Sequence, residues 1–172
     1  MLGEHISKQY DADLQSLRVR VLQMGALVGA QVSQAVDALT KRNMELAGLV
    51  IERDAGIDAL EASIDEDCVQ VIACRQPLAS DLRLLMAVTK ILTNLERVGD
   101  EAEKIAHMAK RIHSSDQLSS SRFNKIKRMS ELVRTMLKNA LDAFAHLNLD
   151  TAAQVVQLDD RVDQNSARSS VS

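Results

Sequence analysis

Four carboxylates are spaced for chemistry. Asp54 and Asp58 lie in "RDAGID" (53–58), and Glu96 and Asp100 lie in "LERVGD" (95–100). Residues four apart are neighbours on a helix, with Cβ atoms about 5–6 Å from each other. Each pair therefore sets two like charges side by side. Left alone, such a pair costs about 0.2–0.5 kcal/mol, which a solvated acidic face tolerates. A cation between the pairs would turn repulsion into attraction, because clustered carboxylate oxygens suit hard cations, iron and manganese. Glu61 and Asp65 extend the first acidic stripe, and Glu103 and His107 extend the second. Asp100 also has Lys104 four residues on as a candidate ion-pair partner.

Other chemistries find less support. Ferritin-like di-iron enzymes use an ExxH motif on two helices, and no ExxH occurs here. A carboxylate-bridged redox enzyme is thus the weakest reading, behind an acidic interaction face for a basic partner. Cys68 and Cys74, six apart, match no zinc or redox spacing and read as buried thiols. His5, His107, His113 and His146 show no ligand pairing, and no glycine-rich phosphate loop or Ser/His/Asp arrangement is present. The basic tract "NKIKRM" (124–129) is short and lacks aromatic interleaving, so it reads as a solvated face. A net charge of −3 gives no global pull toward nucleic acid. No apolar run reaches the roughly 18–20 residues of a membrane span. The start, "MLGEHISKQYDADLQ", has no apolar signal-peptide core. A cytosolic chain without membrane insertion is expected.

The elements that carry these residues are helical. Aromatics make up 2% of the chain, with one Pro and six Gly, too few sheet and turn formers for a β fold. The expected class is all-α. Apolar residues recur at three- and four-residue steps in four stripes. They are Leu14, Leu17, Val21, Met24, Val28, Ala35 and Leu39; Val50, Ile57, Leu60, Ile64, Cys68 and Val71; Leu85, Val88, Leu92, Leu95, Ala102, Ala106 and Ala109; and Ile126, Met129, Val133, Met136, Ala140 and Phe144. A fifth helix begins near Asp150. Pro77 breaks the second stripe from the third, with Ser80 or Asp81 as the cap of the next helix. Gly56 and Gly99 each sit inside a carboxylate pair, leaving room for close helix approach or ligand access.

The chain repeats itself. Shifted by 105 residues, "NMELAGLVIERDAGID" (43–58) lies on "NLDTAAQVVQLDDRVD" (148–163) without a gap. Asp54 and Asp58 fall on Asp159 and Asp163. The expected organisation is tandem three-helix bundles. The first is complete (1–113), a linker follows (114–121), and the second bundle is partial (122–164), ending after about one and a half helices. The tail (165–172) leaves the repeat pattern, with Asn165 and Ser169 where Leu60 and Ile64 supply core. A bundle lacking a helix would leave the fourth stripe in water, unfavourable by about 25 cal/mol per Å². Contacts with another chain, or a mobile C-terminal third, are the expected consequence.

"RQPLASDLRLLMAVTKILTNLERVGDEAEKIA" (75–106), preceded by "RDAGIDALEASI" (53–64), resembles the PhoU family of phosphate-transport regulators. The resemblance covers about 10–164, and implies two homologous three-helix bundles, each bearing E(D)xxxD motifs. It implies a cytosolic, non-enzymatic negative regulator of phosphate uptake and phosphate-starvation signalling. Its partners would be the phosphate ABC transporter, through its ATPase, and a phosphate-sensor histidine kinase, with a homodimer as the common assembly. It further implies divalent or iron cations on the motif carboxylates. These carry over to Asp54 and Asp58, to Glu96 and Asp100, and to Asp159 and Asp163. The sixth helix and its motif are absent from this sequence, and Glu101 stands where many members have His.

Overall fold

The structure, a computed structural model, describes residues 2–77, 79–113, 120–147, 150–157 and 159. Four long helices run in chain order: α1 (Leu2–Thr40), α2 (Met44–Arg75), α3 (Ala79–His113) and α4 (Ser120–His146). Residues 150–157 are helical as well, and no strand occurs among the described residues. Helices α1, α2 and α3 pack pairwise into a three-helix bundle, while α4 packs on α1 and stands off α2 and α3.

The turns follow from local chemistry. Between α1 and α2, Arg42 takes a left-handed conformation (φ 53°), which turns the chain back sharply. Asn43 then caps α2, its side-chain Oδ1 accepting the Leu46 N–H at 2.9 Å. Arg75 ends α2, with Gln76 in the left-handed region (φ 49°) donating its N–H to the Ile72 carbonyl at 3.2 Å. Pro77 prevents continuation. Helix α3 already begins at Ala79, so Ser80 and Asp81 lie within its first turn and are not its cap. Asp81 there still favours the positive helix end. Two ion pairs tie α1 to α2: Arg20 with Asp67, and Arg75 with Asp13.

The bundle core has two parts. One is built of large side chains, among them Leu17, Val21, Met24, Val28, Ile57, Ile64, Leu85, Leu92 and Leu95. The other is rich in small ones: Ala35, Ala38, Ala47, Ala102, Ala106 and Ala109, with Val32, Leu39 and Val50. Cys68 is buried as expected, but Cys74 is exposed. Cys74 falls two residues past Ile72 and one short of the end of α2, beyond the last buried position, Val71.

Helix α4 seats on α1 through two glycines. An ideal Cβ on Gly25 would stand 2.5 Å from Leu141 Cδ1, and one on Gly29 would stand 3.6 Å from Leu137 Cδ2. Rising numbers on α4 meet falling numbers on α1, so the two helices run antiparallel. The α1-facing seam is thus rotated by one residue from the Met136/Ala140 register of the fourth stripe. Ala143 is buried in it, and Phe144 packs on the large-residue core. On the other flank of α4 a cleft of about 1020 Å³ opens toward α3, with Val36, Val98, Ile105, Ile126, Met129 and Val133 in its walls. No helix among the described residues is long and apolar enough to cross a membrane.

Candidate metal centre

The seam between α2 and α3 brings the predicted carboxylates together. One oxygen from each of Asp54, Asp58 and Asp100 lies within 4.8 Å of the others. Their exposure is graded: Asp54 is buried at 7%, Asp100 is half-buried and Asp58 is exposed. The group is thus anchored in the bundle and open to solvent on one side, as a site loaded from water requires. Glu96 is half-buried one turn before Asp100 and lies outside this convergent group, though within its field. Asp159 is exposed on helical backbone and joins no such group among the described residues, and Asp163 lies outside them.

The electrostatics are those of an uncompensated acidic cluster. Desolvation pushes the Asp58 carboxyl above its ordinary range, and the charges of Asp54, Asp100 and Glu103 push it further. Glu96 rises for the same reasons: desolvation first, then Asp100, Asp58, Glu61 and Asp54. Among the described residues no basic side chain forms an ion pair with Asp54, Asp58, Glu96 or Asp100. Lys104 pairs with Glu101 at 2.9 Å, three residues away, and not with Asp100. His107 faces Glu103 at 3.4 Å.

One residue of the site escaped the sequence reading. Gln31 of α1 is 3% exposed, and its Nε2 donates to Asp54 Oδ1 at 2.6 Å. Its Oε1 is buried with no hydrogen-bond partner among the described residues. An unpaired buried polar atom costs about 1–3 kcal/mol, so it is uncommon in a core. Gly99 makes room for the pair. A Cβ there would stand 3.3 Å from Gln31 Oε1 and 3.5 Å from Asp54 Oδ1. Gly56, in contrast, faces open space. Gln31, Asp54 and Gly99 thus form one polar layer. It lies between Val28 and Val32 on α1, between Val50 and Ile57 on α2, and between Leu95 and Ala102 on α3. These flanking residues belong to the large-residue core on one side and the small-residue core on the other. The signal was in the sequence: Gln31 stands three residues after Val28 and four before Ala35, in the register of the apolar stripe.

An antiparallel bundle whose second and third helices share a buried-to-open carboxylate seam defines the class: an all-helical protein with three converging carboxylates between two of its helices. The PhoU domain family matches residues 21–109 and again 126–169, and the chain belongs to that family. It is 43% identical over 164 residues to the "phosphate-specific transport system accessory protein PhoU homolog" of Pseudomonas putida, covering 95% of this chain and 63% of that protein. It is 40% identical over 163 residues to the Escherichia coli (strain K12) accessory protein PhoU, covering 95% and 67%. The chain thus spans about two thirds of the length of these relatives. Among solved structures, PhoU from Pseudomonas aeruginosa superposes with a TM-score of 0.86 at 40% identity, over 91% of this chain and 74% of that one. The phosphate transport system regulatory protein PhoU from Streptococcus pneumoniae superposes at 0.83 with 29% identity, over 91% and 72%. The family is one of accessory regulators, not of enzymes.

Proposed function

We propose that this chain is a negative regulator of phosphate uptake and phosphate-starvation signalling. It acts in the cytosol by docking on the phosphate ABC transporter and its sensor kinase. The relatives' names, as accessory proteins of the phosphate-specific transport system, support the pathway. The observation that carries the physical part is the convergence of Asp54, Asp58 and Asp100 beside an orphaned buried oxygen.

These residues fit a hard cation. Three carboxylate oxygens within 4.8 Å supply the donor type, and Gly99 removes the side chain that would fill the cradle. Asp54, Asp58 and Asp100 would hold a divalent or iron cation, with Glu96 one turn away as a further oxygen. When bound, the ion supplies positive charge that offsets the mutual repulsion of the acids and fastens α2 to α3. The bundle then offers a fixed surface to its partners, and the work is surface complementarity without bond making.

The division into repeats belongs to the same reading. Two separate family matches on either side of residues 114–121 support a second repeat starting in α4, with Asp159 and Asp163 as its counterpart of Asp54 and Asp58. A pull-down from phosphate-replete cells tests the regulatory reading. Recovery of the transporter ATPase is expected, and recovery of neither the ATPase nor the sensor kinase contradicts it.

A further inference from the structure

We infer that Gln31 is the positioning residue of the cation site, so that the site is built on three helices and not on the two that carry the acidic motifs. The inference rests on the cation reading of the carboxylates given above. Gln31 is nine-tenths buried at a register where its neighbours on the stripe are Val28, Val32 and Ala35, all apolar. Its amide is oriented by charge. An oxygen turned toward Asp54 would repel the carboxylate, so Nε2 faces Asp54 Oδ1 at 2.6 Å and Oε1 is left on the other side. There it lies over the bare backbone of Gly99, 3.3 Å from the point a Cβ would occupy. Gly99 directly precedes Asp100.

The two ends of one amide thus do two things. Nε2 holds the Asp54 carboxylate in the orientation in which it meets Asp58 and Asp100. Oε1 adds a buried neutral oxygen in the same layer, without a hydrogen-bond partner among the described residues. Hydrogen bonds that orient ligating carboxylates typically change metal affinity by 10–100-fold when removed. A packing role alone would need neither the donor nor the free oxygen.

The test is a titration of the full chain with Mn²⁺, following the free-ion electron paramagnetic resonance signal. It compares the wild type, Gln31→Met, Gln31→Glu and the double variant Asp58→Asn with Asp100→Asn. Expected is a Gln31→Met protein that binds Mn²⁺ roughly 10–100-fold more weakly and gives an altered spectrum of the bound ion. A folded Gln31→Met protein with wild-type affinity overturns the inference and leaves the cation reading standing. If the double carboxylate variant binds as the wild type does, the cation reading falls and the inference falls with it. Should Gln31→Met fail to fold, Gln31→Glu decides. It sets two carboxylates against each other in the ion-free protein, so Mn²⁺ should raise its melting temperature by more than the wild type's. An equal or smaller rise overturns the inference.

Discussion

Substituting Gly25 by alanine tests how α4 is held. The new Cβ would stand 2.5 Å from Leu141 Cδ1, 2.6 Å from Cδ2 and 3.1 Å from Cγ, so the whole head of the leucine has to move. Overpacking of this kind costs about 1–3 kcal/mol. Alanine in mid-helix returns roughly 0.5–1 kcal/mol over glycine. The difference is a net destabilisation of about 0–2.5 kcal/mol. It should fall on the α1–α4 contact, because Gly25 meets no other side chain as closely. Leu141→Ala alone should cost about 1–2.5 kcal/mol, half the range of a fully buried leucine, since Leu141 is half-buried. In the double variant the alanine Cβ enters the space that Leu141 vacates. The two losses should then fail to add, with a favourable coupling of about 1–2 kcal/mol. Thermal unfolding gives the total, and amide hydrogen exchange along α4 shows where the loss falls. Losses that add to within about 0.3–0.5 kcal/mol, or an exchange increase in α2 and not in α4, would refute the seating of Leu141 on Gly25.

Further outcomes follow from the site and the thiols. Asp58 and Glu96 have folded pKa values raised above their ordinary ones, so the folded chain binds more protons than the unfolded chain between those values. Their ionisation therefore removes stability as pH rises through the carboxylate range, and the loss persists at neutral pH. In protein stripped of metal, Asp58→Asn should lose less melting temperature than the wild type from acid to neutral pH. An identical pH profile would count against the clustering. Burial pushes the Cys68 thiol up to about 11, whereas Cys74 is exposed. Iodoacetamide at neutral pH should label Cys74 in the native chain and reach Cys68 only on unfolding. Mass spectrometry that finds native Cys68 modified first would contradict the packing of α2.

Much of the fold was legible because the apolar stripes match the helical period. The first three stripes are buried almost residue for residue, and Pro77 falls where α2 stops. The carboxylate pairs were legible for the same reason, since a four-residue spacing fixes which side chains share a face. What the sequence concealed depends on the partner across the seam. Gln31 looked like a gap in the α1 stripe, and only the opposing Asp54 and Gly99 make it part of a layer. The register of α4 was hidden because glycines carry no periodic signal of their own. Gly25 and Gly29 become a notch once Leu141 and Leu137 are placed on them. Lys104 had two acidic neighbours within reach, and the longer Glu101 side chain meets it while Asp100 is turned to the seam.

The central claim is that the seam of α2 and α3 holds a cation. Elemental analysis of the full chain, purified without chelator, tests it most directly when paired with the Asp54→Asn, Asp100→Asn double variant. A divalent or iron ion is expected at stoichiometric level in the wild type, with its loss from a variant that remains helical by circular dichroism. A metal-free wild type, or a variant with unchanged metal content, would contradict it.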